Sequence, residues 1–200
     1  MREIQIKKKN NSSIAKTIQF HYKMMGLNYD EIFKKTKLLL SIYKSVCWET
    51  SLRADELYEQ LQFESKRLDV ALEFLMEYKC ETDKNKFISR ISSFFKTNWL
   101  IDIISEANSH VYKYPYNGRL YADIISTFYM NYIEHTESDM LDVLNLERTN
   151  YYAKKKEAIA LLGYCIWGVV IPKYKKSYKC SDEDVEIDII EKSAYEANLA

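Results

Sequence analysis

The sequence predicts an all-α fold, a helical bundle with a C-terminal helix-turn-helix. Four Gly and two Pro among 200 residues are too few to build a sandwich or barrel, which needs a tight turn every ~8–12 residues. A hydrophobic share of 47% is enough to bury a core in one well-filled domain or two small ones. Apolar residues also recur at three- and four-residue spacing, the period of a helix that buries one face.

The elements follow in order. Residues 1–11 are polar and basic, without lasting periodicity, and read as a basic arm. Ser12 or Ser13 is a suitable N-cap for a helix that stops at Gly26. A second, longer helix starts at Asp30 and buries Ile32, Phe33, Leu39, Leu40, Tyr43, Val46 and Cys47. Leu52, Leu57 and Leu61, then Leu68, Ala71, Leu72, Leu75 and Met76, give two short apolar faces on either side of a polar break. Phe87, Ile91, Phe94 and Phe95 suggest one more helix, which Trp99, Leu100, Ile103, Ile104 and Ala107 continue or follow. The stretch from His110 to Gly118, with Pro115 and Asn117-Gly118, is the clearest break. It divides an N-terminal helical domain, 1–114, from a C-terminal domain, 115–180, with an acidic tail over 181–200.

Beyond that break, Leu120, Ile124, Ile125, Phe128 and Tyr132 share one face of a helix from Arg119 to Glu134. Thr136 and Asp139 have the spacing of a capping box, with Asp a shorter partner than Glu, and open a helix from Glu137 to Leu144. Asn145 suits the positive φ of a sharp turn. Thr149 then caps a helix carrying Ala153, Ala158, Ile159, Leu162 and Ile166 on its apolar side.

Residues 136–163 therefore read as a short capped helix, a tight turn and a longer helix that begins polar and basic. In a helix-turn-helix the second helix offers its N-terminal residues to the major groove. Met140, Val143, Leu144 and Leu146 are expected to pack the pair, and Ala153, Ala158 and Ile159 to hold the second helix down. That leaves Asn150, Tyr151, Lys154 and Lys155 toward the groove, with Arg148, Thr149, Tyr152 and Lys156 at phosphates or the groove edge. Asn can read adenine bidentately, while Lys and Arg read guanine or neutralise phosphate.

The segment resembles the helix-turn-helix of sigma-factor region 4, and especially the ArpU-like phage transcriptional regulators. The residues that carry the likeness are Met140, Leu144, Leu146, Arg148, Thr149, Tyr151, Tyr152, Lys154 to Lys156, Leu161, Leu162, Gly163, Trp167 and Gly168. It covers roughly residues 117–168, and Asn145 stands where many members carry Gly. The resemblance implies promoter-proximal DNA binding by the helix from Thr149, in a phage, prophage or mobile-element setting. Residues 55–68 also lie over 138–151, matching Leu57 to Met140, Leu61 to Leu144 and Phe63 to Leu146. A second helix-turn-helix-like unit near 51–77 and a merely structural or partner-binding helical pair both fit that match. Asp69, Glu73 and Glu77 weaken the field such a unit offers to a polyanion.

The zero net charge, 29 basic against 29 acidic side chains, does not oppose DNA binding, because charge is segregated. Residues 148–179 hold eight basic side chains against Glu157 alone, and 181–200 hold one against seven acidic. The acidic tail can mask the basic block or recruit a basic partner. No phosphate-cradling loop, nucleophile elbow or zinc-protease motif occurs, and His21, His110 and His135 are isolated. No enzyme, metal or cofactor is therefore expected. Cys47, Cys80, Cys165 and Cys180 lack close pairing, and no signal-peptide pattern opens the chain, so reduced thiols and a cytoplasmic protein are expected. The apolar run Leu161–Pro172 is shorter than the ~20 residues a membrane span needs and reads as core. Seventeen Tyr exceed what a small core requires. Base stacking or interface filling is the functional reading, and an AT-rich codon bias the bland one. Tyr112, Tyr114 and Tyr116 are the interface candidates.

The expected partners are double-stranded DNA, with RNA polymerase or another regulator as a protein partner, and no membrane. Homodimerisation matches a palindromic site without a heptad seam to specify it. The alternative is a helical protein–protein interaction module, binding a polymerase subunit or a repressor and no DNA of its own.

Overall fold

In the computed structural model, which describes residues 11–51, 64–78 and 99–176, the described chain is all-α and contains no strand. Helix α1 spans Asn11–Met24. Gly26 ends it at φ 66°, and the Leu27 N–H reaches back to the Tyr22 carbonyl at 2.9 Å, the closing bond of a glycine-terminated helix. Helix α2, Tyr29–Ser51, begins where the Asn28 side chain accepts the Glu31 N–H at 3.2 Å. Its expected stripe is in place: Ile32, Leu39, Leu40, Tyr43, Val46 and Cys47 are buried, and Phe33 is half-buried.

Helix α3, Glu64–Glu77, inserts Ala71, Leu72 and Leu75 into the core, while Met76 is exposed. Its last carbonyls lack helical partners, as at any helix C-terminus. Lys35 of α2 supplies a donor there: its buried ammonium group lies 3.3 Å from the Leu75 oxygen and 3.2 Å from that of Met76, and 2.8 Å from Glu31. A lysine in a basic segment thus serves as an interior cap. The arm 1–11 apart from Asn11, most of the first helix of the 51–77 pair, the face built on Phe87 to Phe95 and the acidic tail lie outside the described residues.

Helix α4, Trp99–Tyr112, buries Leu100, Ile103, Ile104, Ala107 and Val111. The break that follows is shorter than expected, since helix continues through His110. The turn ends with Asn117 at φ 58°. Helix α5, Gly118–Ile125, runs into a π-turn over Ser126–Met130 and stops, short of the expected Glu134. Asn131 is the cause. Its backbone turns extended and donates to the Ser126 oxygen at 2.8 Å, while its side chain accepts the Ile133 N–H at 3.1 Å. That local bonding replaces the next helical turn. Tyr132, expected on the apolar face, is 73% exposed.

Helix α6, Glu137–Leu144, has the expected capping box: the Thr136 N–H donates to Asp139 Oδ2 at 2.7 Å and the Asp139 N–H to Thr136 Oγ1 at 3.2 Å. The Thr136 backbone N–H holds the Asp139 carboxyl below its ordinary pKa. This contribution is present above the ordinary carboxylate range and is lost as pH falls through the lowered value. Asn145 adopts φ 49°, the left-handed conformation that glycine would take. We expect Asn145→Ala to lower stability by about 1 kcal/mol and Asn145→Gly to change it by less. Urea unfolding checks both.

Helix α7, Arg148–Cys165, continues through a π-turn over Ile166–Val170 to Lys176. It is the helix around which the others pack: α1, α2, α4 and α5 all lie against it. Side chains tie it to α1, α3 and α4. The Tyr22 hydroxyl donates to the Ala160 oxygen at 2.6 Å, the Trp167 indole to the Leu75 oxygen at 3.4 Å, and Lys173 to Glu106 at 2.7 Å. The 114/115 boundary falls in the turn between α4 and α5, yet residues on both sides share one buried cluster. The run Leu161–Pro172 is core, as expected, apart from half-buried Tyr164 and Val169 and exposed Pro172. By length and composition Arg148–Lys176 could cross a membrane, but 72% of its apolar window is buried inside the fold.

Candidate nucleic-acid interface

The first turns of α7 decide which of the expected DNA-contacting side chains can face a partner. The helix begins at Arg148, ahead of the expected Thr149 cap. The left-handed Asn145 lets the Leu146 N–H close onto the Leu141 oxygen at 3.1 Å, and the Glu147 oxygen already accepts the Tyr151 N–H at 2.9 Å. Glu147 thus occupies the N-cap position without a side-chain capping bond, and Thr149 is an exposed first-turn residue.

The faces are rotated from the expected ones. Arg148, Thr149, Tyr152 and Lys156 are exposed and, at three- to four-residue spacing, form one stripe. Ala153, expected to hold the helix down, is exposed within it. Asn150 is half-buried. Tyr151 and Lys154, expected toward the groove, point inward at 0% and 4% exposure. On α6, Met140 is fully buried but Val143, expected in the packing, is 64% exposed.

The inward face explains the rotation. The Lys154 ammonium group meets the Glu157 carboxylate at 2.9 Å, and the Tyr121 hydroxyl of α5 donates to the same carboxylate oxygen at 2.6 Å. All three side chains are buried, so ionic and hydroxyl partners satisfy one another where water is excluded. Burial first, and then the bond to Glu157, raise the Tyr121 pKa. The sequence signal for this triad was Lys154-x-x-Glu157 inside an otherwise apolar run. Within a helix start expected to face the groove, it concealed a buried pair.

Lys155 is half-buried, with its ammonium group 3.4 Å from the Phe128 ring centroid and 5.5 Å from those of Tyr129 and Tyr151. Desolvation lowers its pKa, opposed by Glu137 and assisted by Lys37 of α2. Glu137, 4.0 Å from Lys155, also accepts the Tyr152 hydroxyl, which joins α6 to α7. Arg148 lies 5.8 Å from the Tyr152 ring centroid. The exposed stripe therefore combines two cations, a hydroxyl and a ring held at its edge by α6. Lys34 and Lys37 of α2 are also exposed.

Among the described residues, no group of three or more His, Cys, Asp or Glu side chains is placed to hold a metal ion. No family model matches the chain, and no curated protein or solved structure matches it significantly.

Proposed function

We propose that the chain is a cytoplasmic, non-enzymatic DNA-binding transcriptional regulator of phage, prophage or mobile-element type, similar to sigma-factor region 4 and ArpU-like proteins. It presents Arg148, Thr149, Tyr152 and Lys156 to duplex DNA. The observation that supports this reading best is the exposed polar and basic stripe on the N-terminal turns of α7, immediately after a capped helix and a left-handed turn. The positive end of the helix dipole adds an anion-favouring field there. Asn150, Tyr151, Lys154 and Lys155 shape and hold the helix in this scheme, and a direct base contact falls to Thr149 or Arg148.

The test is duplex-DNA binding over a salt series with Arg148→Glu/Lys156→Glu. Each lost phosphate contact lowers the salt slope by about 1, so the double variant should bind far more weakly and with a slope reduced by about 2. Both residues are exposed, so the fold should survive, as circular dichroism will show. Unchanged affinity and slope overturn the proposed face. Selection from a random duplex pool then reports the site and whether its half-sites are spaced for a dimer.

A second reading is favoured by Tyr132, Ile133 and Val143, which are 64–73% exposed around α6. It is a helical interaction module that binds a polymerase subunit or a repressor. Protein pull-down without retention on a DNA column would select it.

A further inference from the structure

A cavity of ≈ 500 Å³ opens between α1, the turn from α4 to α5, and the C-terminal half of α7. The proposed DNA interface does not use it. Leu161 and Val169 make it apolar, and rings line it further: His21 stands 5.4 Å from Tyr164 and 6.2 Å from Tyr114, whose ring is 5.9 Å from that of Tyr116. These rings pack against one another, and they give the cavity an aromatic wall on which a further planar ring can stack.

The polar groups of the lining are one-sided in charge. Lys113, exposed on the turn, and His110 belong to it, and no Asp or Glu does. The nearest carboxylate to His110, that of Glu106 at 3.8 Å, is bound to Lys173 at 2.7 Å. The volume falls within the range of small-molecule sites, which pair apolar walls with a few orienting polar groups.

We propose that this cavity is a binding site for a planar aromatic carboxylate of two-ring size, its rings among Tyr114, Tyr164 and His21 and its carboxylate at Lys113. The full-length chain is titrated by calorimetry with 2-naphthoate and with the neutral isostere 2-naphthamide. Naphthoate should saturate one site with a Kd below about 1 mM, and naphthamide should bind about tenfold more weakly, as expected for loss of a charge-assisted bond. Lys113→Ala should weaken naphthoate by a similar factor without affecting naphthamide. Val169→Trp, which puts an indole into the cavity, should weaken both about tenfold or more. If Val169→Trp does not fold, Thr17→Trp on the α1 wall applies the same obstruction, and ring-proton shifts of the wild-type tyrosines on titration locate the ligand independently. The proposal is overturned by absence of saturable naphthoate binding, by naphthoate affinity unchanged in the obstructed cavity, or by equal affinity for the acid and the amide.

Discussion

Glu157→Leu is expected to destabilise the fold by about 3–5 kcal/mol, the largest effect of any single substitution considered in this protein. The carboxylate is the shared acceptor of the Lys154 ammonium group at 2.9 Å and the Tyr121 hydroxyl at 2.6 Å. Its removal takes the carboxylate away from a buried cation and leaves a buried hydroxyl without that bond. The complementary triple variant Lys154→Met/Glu157→Leu/Tyr121→Phe removes all the polar groups together. It should recover most of the loss, because desolvating an ion pair opposes its Coulombic gain. Urea unfolding of the single and triple variants decides the matter: a Glu157→Leu loss below about 1 kcal/mol excludes the buried triad. The raised Tyr121 pKa has its own sign. The folded state keeps the phenol neutral, so this contribution is full below tyrosine's ordinary pKa near 10 and is lost as pH rises through the raised folded value.

Gly163→Ala comes next, with an expected loss of about 1–3 kcal/mol even though alanine gains about 1 kcal/mol over glycine in a helix. A Cβ there would stand 2.5 Å from Thr36 Oγ1, 2.7 Å from the Tyr22 hydroxyl and 3.0 Å from Ile32 Cγ2. Neither oxygen can give way freely. Thr36 Oγ1 donates to the Ile32 oxygen at 2.7 Å and the Tyr22 hydroxyl to the Ala160 oxygen at 2.6 Å. The clash therefore propagates into the contacts of α7 with α1 and α2. Adding Thr36→Ala relieves the shortest contact, so the double variant should be more stable than the two single losses sum to. Strict additivity in a thermal or urea series would refute the close approach. A net gain from Gly163→Ala alone would do the same.

Three local signals in the sequence were read well. Gly26, Asn145 and the Thr136–Asp139 box each act within a few residues of chain, and each appears as expected. Periodicity located α2 and α4 because a long apolar stripe averages over errors at single positions. The end of α5 was misjudged because Leu120 to Tyr132 keeps a helical period, whereas Asn131 competes for the backbone with its own side chain. The start of α7 was placed at Thr149 on cap preference, although the geometry of the preceding turn set it at Arg148.

The candidate interface shows the division most clearly. The residues of α7 that face outward depend on what waits on the inward side. Residue type alone ranks Ala153 as buried and Lys154 as solvated, and the fold reverses both, since Tyr121 and Glu157 complete a polar set for Lys154 in the core. Helix content, the capped turn before α7, the buried apolar run after it and the basic character of this segment follow from the sequence alone, because propensity, capping and hydrophobic period act along the chain. The rotation of α7, the burial of Lys35 and Lys154, the exposure of Val143 and the aromatic cavity beside Tyr114 are tertiary. Each depends on partners far away in sequence, and burial rewards a polar side chain only when those partners are present to satisfy it.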